Sequence, residues 1–199
     1  MQRILLLLLV ITMISCKENN KQNTTATSAP NKIEQNNTDT VPFYPYITAI
    51  EKEAETLSKN KNEFIVVYTN ESDNTSTKKI SSKEFQNLIK KITQYNITQM
   101  PVKHFYKEEL FTDLTTKNTI INYATQNDSL AVKNVSILLD AKNTNNIKRI
   151  DIKTMYSTAD STISENCSWV VGKEFYILRY AEDSTGKSAK TKLNVSWKK

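Results

Sequence analysis

The chain has 199 residues and a formal net charge of +6, from 27 lysines and arginines against 21 aspartates and glutamates. The positive charges are scattered among Asn and Thr residues rather than gathered into a basic stripe, which argues against a nucleic-acid-binding protein. The chain holds two glycines and one histidine. This composition excludes the usual glycine-rich phosphate loops, the glycine-flanked serine of hydrolases and multi-histidine metal sites.

The first sixteen residues, MQRILLLLLVITMISC, have the layout of an export signal. Arg3 supplies a positive charge, the segment from 4 to 11 is apolar, and the small residue Ser15 directly precedes Cys16. The apolar segment is too short to stay in a bilayer as a spanning helix. We therefore expect residues 1–15 to be a signal peptide that is cleaved between Ser15 and Cys16.

The motif at positions 13–16, Met-Ile-Ser-Cys, resembles the lipobox of bacterial lipoproteins. The resemblance implies that the Cys16 thiol carries a diacylglycerol and that its new amino group is acylated, which is a palmitate-type membrane anchor. Lys17 stands where aspartate marks retention in the inner membrane. The resemblance thus also implies delivery to the outer membrane, with the periplasmic face favoured over the surface. An ordinary secretory signal with an incidental cysteine is the alternative.

Residues 16–42 are expected to form the lipidated cysteine and a disordered tether. The stretch is almost entirely polar, and Ile33 and Val41 are its strongly apolar residues. It cannot bury enough surface to offset the entropy of ordering. A flexible chain of about 26 residues has a mean reach on the order of 25 to 30 Å, which would hold the folded part clear of a membrane.

Residues 43–199 are expected to form a single α+β domain that begins with two amphipathic helices. Apolar residues recur every three or four positions between 47 and 57, which predicts a helix over 45–59. Ser81 and Glu84 match a capping box, which predicts a second helix over 82–93. Between the helices, the β-prone run 64–68 and a partner around 78–80 predict a short pair of strands.

From residue 118 onward, apolar and polar residues alternate as in strands with one face in water. Gly172 and Lys173 predict a two-residue type II′ hairpin turn, whereas residues 97–111 are expected to be an irregular crossing segment. These patterns predict two helices packed on a curved antiparallel meander of about six to seven strands. The candidate strands are Thr119–Thr125, Val132–Leu139, Ile147–Tyr156, Thr162–Val171, Glu174–Tyr180 and Thr191–Trp197.

Cys167 has no partner for an internal disulfide if Cys16 is lipidated. It lies on the same side of a predicted strand as Ile163 and Trp169, which favours a buried thiol. A reactive thiol is the alternative, and it would need a cationic neighbour to lower its pKa.

His104, Glu108, Glu109 and Asp113 lie close together in the sequence. Carboxylates suit hard cations, but the segment lacks the spaced acids and the turn glycine of a calcium loop. We therefore expect a solvated loop without a metal. A hydrolase centred on His104 is the least favoured function, because nothing marks a particular serine as its nucleophile.

Aromatic residues on the predicted strands are the candidate ligand-pocket residues. A curved sheet could expose some of them in a concave pocket for an apolar or lipid-like ligand, in loose similarity to the half-barrel lipoprotein carriers of the bacterial envelope. Ordinary core packing is the competing interpretation. The candidates are Tyr123, Tyr156, Trp169, Tyr176, Tyr180 and Trp197.

The sequence therefore predicts a non-enzymatic envelope lipoprotein without a cofactor. Its partners are expected to be the membrane, through the lipid anchor, and another envelope component that the folded domain binds or scaffolds. The alternative function is a carrier of a lipid or other apolar small molecule on a concave face of the sheet.

Overall fold

The structure is a computed structural model that describes residues 32–33, 42–60, 62–99 and 101–198. The predicted signal peptide, its cleavage site, Cys16 and most of the tether lie outside these residues. Within the described part, the chain forms two α-helices and an open antiparallel sheet, which confirms the α+β class. None of the helices described is long and apolar enough to cross a membrane.

Nine strands follow residue 62, and a two-residue strand lies beside one edge of the sheet. The helices are α1, Tyr46–Lys59, and α2, Ser82–Thr93, and a 3-10 helix spans Lys103–Phe105. The strands are β1 Lys32–Ile33, β2 Glu63–Thr69, β3 Thr75–Ile80, β4 Lys107–Thr112, β5 Thr119–Ala124, β6 Val132–Leu139, β7 Ile147–Ser157, β8 Ser161–Val170, β9 Glu174–Asp183 and β10 Ser188–Lys198.

The sheet has the order β1-β4-β5-β6-β7-β8-β9-β10-β2-β3, and all neighbouring strands are antiparallel. Strands β4 to β10 therefore form a meander in chain order. The last strand, β10, pairs with β2, and Val195 lies opposite Val66. The chain passes from the edge strand β3 through α2 to β4 near the other edge, so α2 lies across the sheet rather than beside it.

Both helices match their predictions closely. The apolar stripe of α1 is buried, and α2 starts at the predicted capping box. The Ser81 hydroxyl accepts a hydrogen bond from the Glu84 backbone N–H at 3.3 Å, and the Glu84 carboxylate accepts one from the Ser81 N–H at 2.9 Å. These bonds satisfy backbone donors that a helix leaves without intrahelical partners.

The hydrophobic core lies between the two helices and one face of the sheet, which we call the helix-covered face. Phe85 of α2 stacks on Phe64, with ring centroids 4.0 Å apart. Trp169 stacks on Phe175 at 5.5 Å and lies 5.4 Å from Trp197. The aromatic side chains of β2, β8, β9 and β10 therefore join α2 to the sheet.

The predicted count of six to seven strands is too low. β3 begins at Thr75, before the partner strand predicted around 78–80, and β4 lies where we expected an irregular segment. The residues of β3 and β4 are exposed or half-buried, with no fully buried position in either strand. Strands at or near an edge often carry charged side chains and show little alternation in burial, so the period-two pattern misses them.

The turn between β8 and β9 also differs from its prediction. Val170 pairs with Glu174, so the loop has three residues, 171–173, rather than two. The Lys173 N–H donates to the Val170 carbonyl at 3.1 Å, and Gly172, with φ of +78°, holds the second central position of the turn. A positive φ at that position is the type II arrangement, whereas type II′ requires it at the first.

Candidate functional site

A pocket of about 560 Å³ opens on the helix-covered face beside the C-terminal half of α2. Its lining comes from α2, from the segment that follows α2, and from the adjacent strands β7, β8, β9, β10 and β2. Small-molecule sites typically have volumes of roughly 300–1,000 Å³. The pocket is therefore large enough for a small ligand.

An apolar row of side chains forms the floor of the pocket. Residues that pair across an antiparallel ladder point to the same face of the sheet. Four consecutive pairings, Ile152 with Cys167, Cys167 with Ile177, Ile177 with Leu193 and Leu193 with Tyr68, join β7 to β2 in one line. All five side chains line the pocket. Leu88 and Ile92 of α2 also contribute to the lining.

A polar row runs beside the apolar row, two residues away from it on each of the strands β7 to β10. It consists of Thr154, Glu165, Arg179 and Thr191, which pair in that order from β7 to β10. All four line the same pocket. Polar side chains that converge in an apolar cleft are typical of ligand sites, because they fix the orientation of the ligand.

Glu165 is the centre of the polar row. The Tyr95 hydroxyl donates to Glu165 Oε2 at 3.2 Å, and the Tyr156 hydroxyl lies 3.5 Å from Oε1. Arg179 Nε lies 3.7 Å from the same Oε1, which makes an ion pair that is longer than a hydrogen bond. The Glu165 side chain is 16% exposed, so this carboxylate is largely withdrawn from water.

The two phenols beside Glu165 remain protonated at neutral pH. Burial raises the pKa of Tyr95 to about 12, and the negative charge of Glu165 adds to the effect. Burial and the same carboxylate also raise the pKa of Tyr156. Both hydroxyls can therefore donate to Glu165, which accepts when it is ionised.

Thr154 carries a buried hydroxyl that lacks a partner within the described chain. The residue is 1% exposed, and its Oγ1 makes no hydrogen bond there. A buried polar group without a partner costs about 1–3 kcal/mol.

Cys167 is a free and buried cysteine, as predicted. Burial raises the pKa of its thiol, and the negative charges of Asp151 and Glu165 act in the same direction. The thiolate is therefore disfavoured at neutral pH. Cys167 contributes apolar surface to the pocket floor.

The aromatic candidates predicted from the sequence do not meet in one pocket. Tyr156 lines the pocket described above. Tyr123 and Trp169 are core residues with at most 1% exposure, and Tyr123 packs against Phe43 with ring centroids 4.3 Å apart. Trp197 is also buried, at the edge of a separate cavity beside α1. Core packing therefore accounts for three of these four aromatic residues.

Tyr176 and Tyr180 alternate with Phe175 and point to the opposite face of the sheet. The ammonium of Lys192 lies 5.6 Å from the ring centroid of Tyr176, and that of Lys190 lies 5.8 Å from that of Tyr180. These tyrosines thus belong to a separate surface.

The polar residues of the segment around His104 do not converge on one site. His104 is exposed and its ring lies 3.9 Å from that of Phe105. Glu108 and Glu109 are successive residues of β4 and point to opposite faces, while Asp113 accepts hydrogen bonds within its own turn. Among the residues described, no three His, Cys, Asp or Glu side chains are grouped to hold a metal ion.

The sequence interpretation missed the polar row. The sequence does hold a pattern that could have indicated this row, namely a polar residue two positions from an inward-facing apolar residue on the same strand. Thr154 follows Ile152 in this way, and Arg179 follows Ile177. Such a residue shares the inward face and needs either a polar partner or an opening to solvent.

Comparisons with known proteins identify no relative of this chain. No family model matches it, and neither a curated protein nor a solved structure shows significant similarity. The geometry of the pocket, a polar row beside an apolar row, offers hydrogen bonds and apolar contact to the same ligand.

Proposed function

We propose that this protein is a non-enzymatic, lipid-anchored envelope lipoprotein whose folded part binds a small molecule in the pocket beside α2. The observation that carries the proposal is the polar row, whose four residues from Thr154 to Thr191 line a pocket of about 560 Å³ beside the apolar row. A core that served packing alone would gain stability from apolar residues at these positions.

The lipobox-like motif at 13–16 supports the proposed location of this binding protein in the cell envelope. Acylation of Cys16 would fix the protein to a membrane, and Lys17 favours the outer membrane over the inner membrane. The periplasmic face is the favoured side of that membrane. The polar tether then lets the pocket face the periplasm. A curved sheet would bring β7 and β2 together around one ligand, and the register shifts between β6 and β7 are irregularities of the kind that bend sheets.

A pair of tryptophan variants tests the binding function. Thr191 and Lys192 are neighbours on β10, and their side chains point to opposite faces of the sheet. Thr191→Trp should fill the pocket, whereas Lys192→Trp adds the same bulk to the opposite face. Full-length protein is reconstituted in nanodiscs, and co-purifying small molecules are identified by mass spectrometry.

We expect a bound species with the wild-type protein and with Lys192→Trp, and its loss with Thr191→Trp. If the wild-type protein carries no small molecule, or if both variants retain the same species equally, the pocket is not the binding site.

The second candidate function is docking of another envelope component on the opposite face of the sheet. Met155, Ser164, Tyr180 and Lys190 form one cross-strand row there, with Met155 45% and Tyr180 41% exposed. Exposed aromatic and methionine side chains are enriched at protein interfaces. Crosslinking in cells tests this candidate, because a protein that is recovered only as an uncrosslinked monomer would contradict it.

A further inference from the structure

More positive than negative side chains line the pocket. Lys91 in the last turn of α2 and Arg179 of β9 bring two positive charges to the lining, against the single carboxylate of Glu165. Arg179 already pairs with Glu165, although only at 3.7 Å. The lining therefore keeps an excess positive charge.

Both cations lie where a ligand can reach them. Lys91 is exposed, and the Arg179 side chain is 45% exposed. A guanidinium has five N–H donors, and the 3.7 Å contact of Arg179 with Glu165 is too long to use one of them in a hydrogen bond. These groups suit a carboxylate or a phosphate, which accept charge-assisted hydrogen bonds.

The apolar row lies directly beside these charges. Ile177 is two residues from Arg179 and pairs with Leu193, while Leu88 and Ile92 of α2 also line the space. The space between α2 and the sheet is therefore bounded by apolar side chains from both. A linear alkyl chain would bury apolar area against each of them.

We infer that the pocket binds an anionic amphiphile, a molecule with one alkyl chain and a carboxylate or phosphate head group. The head group lies at Arg179 and Lys91, and the chain lies along the apolar row. This inference rests on the small-molecule function proposed above and names the chemical class of its ligand.

The experiment compares probes that share one alkyl chain and differ in head group. Decanoate, decyl phosphate, decyltrimethylammonium and decanol are titrated calorimetrically against the full-length protein in phosphatidylcholine nanodiscs. Empty nanodiscs give the blank for partition into the bilayer. We expect the two anionic probes to bind saturably and at least about tenfold more tightly than the cationic one, which is the factor that 1.4 kcal/mol represents.

Two arginine variants locate the head-group site. Arg179→Gln should weaken binding of the anionic probes about tenfold, the effect of one lost charge-assisted contact of about 1.4 kcal/mol, and should not weaken the cationic probe. The matched control is Arg149→Gln, because Arg149 lies on the opposite face and pairs with Asp151 at 2.7 Å. That variant should bind all probes as the wild type does.

The outcomes separate the two proposals. The inference is wrong if the probes bind saturably but their affinity does not depend on head-group charge. It is also wrong if Arg149→Gln and Arg179→Gln weaken binding equally. Either result is compatible with the proposed small-molecule function. If no probe binds saturably, the inference also fails. The co-purification experiment with Thr191→Trp then decides the proposed function separately. A preference between decanoate and decyl phosphate identifies the head group and supports the inference in either direction.

Discussion

Glu53 of α1 accepts a hydrogen bond from the indole N–H of Trp169 at 2.7 Å. Its second carboxylate oxygen accepts from the backbone N–H of Gly172 at 2.6 Å. Trp169 is 1% exposed, so Glu53 satisfies a donor that has no access to water. One acidic side chain thus fixes α1 to both the end of β8 and the turn that follows it.

Replacement of Glu53 by alanine should lower the free energy of unfolding by about 2–4 kcal/mol. The variant loses two charge-assisted hydrogen bonds and leaves the buried Trp169 donor unsatisfied. Urea titration monitored by tryptophan fluorescence measures the change. The control is Glu55→Ala on the same helix, because Glu55 forms only an exposed pair with Lys59. A loss no larger for Glu53→Ala than for Glu55→Ala would contradict the prediction.

This contact shows why the helices were predictable and their attachment was not. The apolar spacing of α1 and the capping box of α2 are local patterns, so each is complete within its own segment. Glu53 and Trp169 are 116 residues apart in the chain. In the sequence, Glu53 is one of several acidic residues on the polar side of a helix, and nothing marks it as the one that bonds to Trp169.

The pocket was unpredictable for a related reason. Alternation correctly placed Cys167 on the inward face of the sheet, where it pairs with Ile152. The polar residues of that face lie beside an opening because α2 ends at Thr93 and leaves β7 to β10 partly uncovered. The position of α2 across the sheet follows from the pairing of β10 with β2, which no local pattern shows.

Replacement of Ser81 by alanine should lower the stability of the protein by about 1 kcal/mol. The variant removes the hydroxyl that accepts the Glu84 N–H at the start of α2. Urea titration measures the difference, and Ser82→Ala, one residue inside the helix, is the matched control. Ser81→Asp should restore most of the loss, since aspartate is also a good N-cap residue. Equal stability of Ser81→Ala and Ser82→Ala would show that the cap contributes nothing measurable.

Alkaline pH should destabilise the protein through Tyr106. Its hydroxyl donates to the Val132 carbonyl at 2.7 Å, and burial raises the pKa of Tyr106 to about 12. An unfolded tyrosine loses its proton near pH 10. Between roughly pH 10 and 12 the folded state thus binds more protons than the unfolded state, so the free energy of unfolding falls as the pH rises.

Tyr106→Phe removes this titration. At pH 7 the variant should be less stable by about 1 kcal/mol, because it loses the hydrogen bond to Val132. Above pH 10 its stability should fall less steeply than that of the wild type. Denaturant titrations between pH 7 and 11.5 give both values, and Tyr180→Phe on the opposite face is the control. If stability falls with pH equally steeply in Tyr106→Phe and in the wild type, the alkaline destabilisation does not arise from Tyr106.

Cys167 should react slowly with thiol reagents in the folded protein. It is 5% exposed, and burial raises the pKa of its thiol, so little thiolate is present at pH 8. Labelling of the full-length protein should therefore accelerate strongly in urea. The control is Cys167→Ala combined with Thr162→Cys, which moves the thiol to an exposed position on the same strand. Equal labelling rates for the two cysteine positions in the folded protein would show that Cys167 is accessible.

Cys16→Ala should release the protein from the membrane or leave its precursor uncut. The proposed anchor carries three acyl chains, and two hydrophobic anchors already suffice for stable attachment. Membrane flotation and the apparent mass of the protein measure attachment and processing together. Cys167→Ala is the matched control, because it removes the other cysteine and should leave both unchanged. If Cys16→Ala leaves membrane association and the mature size unchanged, the lipoprotein assignment is wrong. The pocket would then belong to a protein with another cellular location.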